Sequence, residues 1–273
     1  MIIQWPDKFY HTSHDTPDKV DPAMLGRVGS LSATYAYFLA NAGSQEAAWL
    51  GYEMAARFKR DVVRFVQEKV TEATHTSEEG AEKLEEAVAF LRKKVAYLIE
   101  REQQALASLK RLSPEIAVEG WQAEVAEFAA RELAGGEEAI EVLARGRDLT
   151  ESLEASKPEL DEWEEKAARM LPRRTYRGPI PLRHYLNQLS QEERERVWQM
   201  RQEHKKGFRI LPTLAVYWAD GKLNLLEIAD LIELETGQRD VELLVEYFQT
   251  LAKLNLIELE TNTQYPITAS FQS

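Results

Sequence analysis

The chain has 273 residues, of which 44% are apolar and 29% charged, and it carries a net charge of −12 at pH 7. That apolar share excludes wholesale disorder, and the acidity argues against a protein that wraps nucleic acid or coats an anionic membrane. With no cysteine, disulfides, thiolate nucleophiles and cysteine-based zinc or iron–sulfur centres are excluded, which fits a cytoplasmic protein. No apolar run reaches the about eighteen residues that a bilayer span needs. The start, Met1-Ile2-Ile3-Gln4-Trp5-Pro6-Asp7, lacks the basic opening and apolar stretch of a signal peptide.

Charge is distributed unevenly. Residues 1–165 carry a net −13, residues 166–211 a net +8 and residues 212–273 a net −7. The ordinary expectation is that the basic stretch docks on its own acidic neighbours. A binding site for an acidic partner is the alternative.

In chain order, residues 4–21 read as a loop, with two prolines and clustered Asp, Ser and Thr. A helix is predicted from Asp21-Pro22, an N-cap with proline at the first helical position, to Asn41-Ala42-Gly43. Leu25, Val28, Leu31, Tyr35, Phe38 and Leu39 are its apolar residues. A long helix over 44–74 has Leu50, Met54, Phe58, Val62 and Phe65 on one stripe. The next, over 77–112, opens on the capping-box pair Thr76 and Glu79. Its apolar residues Leu84, Val88, Leu91, Val95 and Leu98 step as a coiled-coil seam, which Glu102 interrupts before Ala105, Leu109 and Leu112.

Ser113-Pro114 is expected to cap a helix with Val118, Trp121, Val125, Phe128 and Leu133 inward, broken at Gly135-Gly136. Further helices are expected over 137–145 and 158–171. Residues 172–181, with three prolines and a glycine, read as a rigid basic linker. Short helices follow over 182–189 and 191–205, the second boxed by Ser190 and Glu193. From Thr213 the pattern becomes three short helices: 213–219, then 225–235 capped by Asn224 with Glu227, then 241–254 capped by Asp240. An alternating strand over 256–260 turns at 261–263 into a possible return over 265–271. Three helices and a hairpin describe a winged helix.

The expected fold is therefore mainly α: long antiparallel helices forming a bundle or coiled-coil hairpin, followed by a small winged-helix-like α+β domain. The expected divisions are 1–43, 44–171, 172–212 and 213–273.

Chemistry concentrates in Tyr10-His11-Thr12-Ser13-His14-Asp15-Thr16-Pro17-Asp18-Lys19-Val20-Asp21-Pro22. An imidazole on a loop before a capped helix, with a carboxylate four residues on, is a ligand arrangement found at zinc sites and also in ordinary hydrogen-bonded turns. This string resembles the last metal-binding segment of the co-catalytic zinc aminopeptidases, metallopeptidase family twenty-eight. The likeness covers residues 4–43. It implies that His11 matches the family's terminal zinc ligand, with Asp15 and Thr16 as supporting residues, while His14 falls at a variable position. Gly178-Pro179-Ile180-Pro181-Leu182-Arg183 and Tyr217-Trp218-Ala219-Asp220-Gly221 with Leu226-Glu227-Ile228-Ala229 look like the C-terminal extension of a longer bacterial subgroup of that family.

The departure from the family matters more. Its two-metal site takes a His-x-Asp pair, a bridging Asp, a Glu-Glu pair and a further Asp, all upstream of the Tyr-His-Thr segment. Ten residues precede His11 here, and no His-x-Asp occurs in the chain. Gly136-Glu137-Glu138 copies the family's Gly-Glu-Glu string but lies downstream of His11 and reads as the first turn of a helix, which favours carboxylates. One imidazole cannot hold two zinc ions or acidify a water. The resemblance thus implies a C-terminal, non-catalytic portion of an aminopeptidase-like protein, with no tightly bound zinc of its own. Its partner would be the missing catalytic domain or a second copy, with peptide substrate only if another chain completes the site. A winged-helix regulator is the remaining alternative, but the would-be recognition helix carries Asp240, Glu242 and Glu246, the wrong sign for DNA. His75, His184 and His204 read as surface or capping residues. Trp49, Trp121, Trp163 and Trp198 read as packing anchors. No phosphate loop and no Gly-x-Ser-x-Gly elbow is present.

Overall fold

A computed structural model describes residues 8–75, 80–146, 160–178 and 182–261. The chain divides into two compact units, Met1–Glu154 and Ala155–Ser273. It is mainly helical, with a two-stranded sheet among the described residues.

The first unit holds α1 (Pro22–Asn41), α2 (Ser44–His75), α3 (Gly80–Ala107) and α4 (Glu119–Arg145). Helices α2, α3 and α4 share one core, in which Phe58, Val62, Val66, Leu84, Leu91, Val95, Leu106, Val125 and Ile140 are buried. Their directions follow from their contacts. Gly51 meets Trp121 and Val66 meets Gly136, so α2 and α4 run the same way. The Gln103 and Gln122 side chains each donate to the other's backbone carbonyl, and Arg92 pairs with Glu137, so α3 runs against α4. The seam residues Leu84, Leu91, Val95 and Leu109 are buried as expected. Beyond Ala107 the chain tightens into a 3-10 turn, Ser108–Arg111.

Two expectations in this unit need correction. Gly135-Gly136 does not break a helix; α4 runs through both. A Cβ on Gly136 would lie 2.6 Å from Val66 Cγ1, so this glycine lets two helices approach rather than ending one. The helix also starts at Glu119, not at Ser113-Pro114; the Ser113 hydroxyl instead meets that of Ser44 at 2.9 Å. The Thr76–Glu79 box lies outside the described residues.

Helix α1 begins as expected, with the Asp21 carboxylate accepting from the amides of Ala23 and Met24. Its apolar residues call for a cover, from α2 and α3 or from a second copy of the chain, and α2 and α3 do not bury them. None of its 20 residues is buried; Leu25, Leu31 and Tyr35 are exposed, at 61%, 61% and 64%. Arg27 is the helix's single charge.

The second unit contains α5 (Glu162–Ala168), β1 (Met170–Arg174), α6 (Gln191–Glu203), α7 (Leu211–Trp218), α8 (Leu225–Thr236), α9 (Val241–Lys253) and β2 (Ile257–Thr261). Its core gathers Met200, Leu211, Leu225, Ile228, Ile232, Leu243, Leu244 and Phe248. The anticipated caps are formed: Ser190 with Glu193 on α6, Asn224 with Glu227 on α8, and Asp240 on α9. Gly237 ends α8 in the left-handed region at φ 72°.

The stretch expected as helix and then linker behaves otherwise. The helix is only Glu162–Ala168, boxed by Asp161 and Glu164, and Pro172, Arg173 and Arg174 belong to β1. This strand pairs antiparallel with β2, Met170 opposite Thr261 and Arg174 opposite Ile257. On its other edge Arg173 bridges to Asp220, and the Gly221 amide donates to the Pro172 carbonyl at 3.0 Å. So β1 lies between β2 and the α7–α8 connection. A proline is tolerated because this bridge asks that residue for its carbonyl, not for the N–H it lacks. The expected helix over 182–189 is two 3-10 turns, Leu182–His184 and Leu186–Gln188. The possible return strand over 265–271 lies outside the described residues.

Candidate functional site

The segment before α1 folds on itself through short-range hydrogen bonds. The Thr12 amide and hydroxyl both donate to the Phe9 carbonyl, at 2.9 and 2.7 Å, and the Thr12 hydroxyl accepts from the His14 amide at 3.2 Å. The Thr16 amide donates to the His14 carbonyl, and a 3-10 turn over Pro17–Lys19 leads into the Asp21 cap. These are the local options that Ser, Thr and Asp offer a backbone.

His11 takes φ 59°, a region that histidine enters more readily than most residues but still at a cost. Its ring stands edge-on to Tyr10, centroids 3.9 Å apart. Every residue from Lys8 to Asp21 is exposed. The Asp18 carboxylate takes the Thr16 hydroxyl and the Lys19 ammonium. The Lys19 ammonium, then the Thr16 hydroxyl, hold its pKa below the ordinary aspartate range. Lys19 also lies 5.6 Å from the centre of the Phe9 ring.

The turn therefore serves Thr16 and Asp18 as a polar latch. It does not bring His11 and Asp15 into a hydrogen-bonded pair. Among the described residues no group of three or more His, Cys, Asp or Glu side chains is placed to hold a metal ion. The residues here do not fit a zinc pair: the segment offers two exposed imidazoles, His11 and His14, outside any group of three donors, so either can serve a metal only as one ligand among donors supplied from elsewhere. Glu137 of the Gly-Glu-Glu string is tied to Arg92 of α3, and Glu138 is exposed on α4.

The second unit contains polar clusters that sequence reasoning missed. His204 ends α6, and its Nδ1 meets Asp240 Oδ2 at 2.6 Å, while Asp240 Oδ1 accepts the Leu243 amide. The cap on α9 was legible, but its histidine partner lies 36 positions away and carried no local signal. Arg239 joins Glu164 of α5 to Asp230 and Glu233 of α8, at 2.6, 3.0 and 3.5 Å. Tyr247 lies among Phe208 and Phe248; burial, then Tyr176, pushes its phenol up to about 12. The His204–Asp240 pair and the Arg239 cluster lock helices together.

Of the tryptophans, Trp121 and Trp163 pack partly buried against the two cores. Trp49 and Trp198, expected as packing anchors, are 56% and 64% exposed. No helix among the described residues is long and apolar enough to cross a membrane. Comparison of the chain with family models, curated proteins and solved structures finds no match.

Proposed function

We propose that this chain is a C-terminal, non-catalytic portion of a zinc aminopeptidase-like protein, and that residues 8–41 dock on a catalytic α/β domain outside this sequence. The observation that carries the reading is α1: twenty residues, one charge and no buried side chain. Monomers rarely leave so much contiguous apolar surface in water. The Tyr10–Pro22 string supplies the chemistry of the missing partner, because its likeness is to a segment that closes a zinc site. The α2–α4 bundle and the second unit then serve packing, assembly or substrate gating. The order α7, α8, α9, β2 supports a winged-helix reading of the second unit. Carboxylates at Asp240, Glu242 and Glu246 on or beside α9 favour a protein-contact role over DNA.

A second reading is favoured by His11 itself. Its exposure leaves the imidazole accessible, so it can complete a zinc site whose other ligands come from a second polypeptide.

Zinc content by elemental analysis, with leucine-amide hydrolysis, tests the first reading. The chain alone, equilibrated with Zn²⁺ and then desalted, is expected to retain no stoichiometric metal and to leave the amide intact. Stoichiometric zinc with turnover would sink it. Metal and turnover that arise only with a partner chain, and vanish in His11→Ala, would support the second. A salt-dependent shift of random duplex DNA would favour a winged-helix regulator instead.

A further inference from the structure

Helix α6 has two unlike faces. Its inner face buries Val197 and Met200 and is tied to α9 by Arg196 with Glu246 and by Lys253 with Glu193. Its outer face presents Arg194, Trp198 and Arg201 at i, i+4 and i+7, and Lys205 continues the row past the helix end. All four are exposed, Trp198 at 64%. The following turn adds exposed Lys206 and Arg209. Arg194, Arg201, Lys205, Lys206 and Arg209 make no ion pair with the described residues, whereas Arg196 on the inner face has two, with Glu203 and Glu246. Exposed cations ranged around an exposed tryptophan, in a chain of net charge −12, are not explained by the packing of this unit.

We propose that this face of α6 is a docking site for an acidic helix of a partner protein. Tryptophan and arginine are the side chains that most often anchor protein interfaces. Arg194 and Arg201 stand about 10 Å apart along the helix axis, with Trp198 between them. That spacing suits two carboxylates set two turns apart around one apolar side chain. The flanking charge selects a protein over a polyanion. Exposed Glu195, three residues before Trp198, borders the row and would repel the unbroken phosphates of a nucleic acid, whereas a peptide can place its carboxylates only opposite the cations. The proposal does not depend on the aminopeptidase reading.

The test uses the full chain and a labelled helical peptide carrying two glutamates seven positions apart with a leucine midway, read by fluorescence anisotropy. Saturable binding that weakens with salt is expected, falling roughly ten-fold or more in Arg194→Glu/Arg201→Glu and again in Trp198→Ala. Unchanged thermal melting of these variants would show that they remain folded, because all three side chains are exposed. The proposal is overturned if no saturable binding is seen, or if binding is indifferent to the charge reversals. It is equally overturned if random duplex DNA or phosphatidylserine vesicles bind more tightly than the peptide. Self-association of the chain that Arg194→Glu/Arg201→Glu abolishes would name a second copy as occupant and overturn it too.

Discussion

Gly135 and Gly136 are neighbours in α4, yet alanine should act oppositely at the two positions. A Cβ on Gly135 meets nothing within 4 Å, whereas on Gly136 it would lie 2.6 Å from Val66 Cγ1 and 3.2 Å from Leu91 Cδ2. Glycine to alanine in a helix interior gains about 1 kcal/mol from backbone propensity. At 135 that gain stands alone, so Gly135→Ala is expected to stabilise the first unit by about 1 kcal/mol. At 136 it is opposed by overpacking, which costs about 1–3 kcal/mol. Val66 has little room to yield, because it is buried and a β-branched side chain has one strongly preferred rotamer in a helix. Gly136→Ala should therefore destabilise by about 1 kcal/mol, a gap of about 2 kcal/mol between adjacent substitutions. Urea unfolding followed by helical circular dichroism measures it. Equal stabilisation by both variants would refute the close approach of α2 and α4 at this point.

Three further outcomes are expected. Arg239→Met strips the cation from Glu164, Asp230 and Glu233; with the Arg239 side chain 28% exposed, it should cost the second unit about 2 kcal/mol in urea, between the values for surface and buried pairs. Tyr247 holds its proton to about 12 when folded, against 10.0 ordinarily. The unfolded chain loses that proton first, so stability should fall as pH rises across this window. It should fall less in Tyr247→Phe, read as denaturation midpoint against pH. The Glu193 carboxyl is lowered to about 2 by Lys253 and then by the Ser190 amide and hydroxyl. Its stabilisation is present above the ordinary 4.5 and should be lost as pH falls toward about 2. An NMR titration of Glu193, repeated in Lys253→Met, checks this and should show the carboxyl moving back toward its ordinary value.

Helix caps were the most legible feature of this sequence. Asp21, Ser190, Asn224 and Asp240 act on amides two or three residues away, so the short-range pattern contains the whole interaction. Gly237 was legible for the same reason. Gly136 was not, because a glycine that admits a neighbouring helix and one that ends its own helix look alike until the neighbour is known. The strand Met170–Arg174 was hidden by Pro172, and its partners lie at Asp220 and 257–261. At the candidate site, the polar turn around Thr12 and Asp18 could be anticipated from its composition. That His11 and Asp15 do not pair could not, since residue spacing says nothing of φ. The apolar positions of α1 were legible, but what covers them was not: α2 and α3 leave all of them unburied, because periodicity marks an apolar stripe without naming the surface it meets.

The absence of cysteine allows the docking of α1 to be measured directly. A single cysteine in place of Leu31 can be labelled with a thiol reagent in the chain alone and again after co-expression with a zinc aminopeptidase α/β domain that ends before its own Tyr-His-Thr segment. Labelling should be fast in the isolated chain, as at an exposed control position, and strongly slowed in the co-expressed sample. Slow labelling in the chain alone, or labelling that the catalytic domain leaves unchanged, would contradict the assignment of α1 as the surface that meets it.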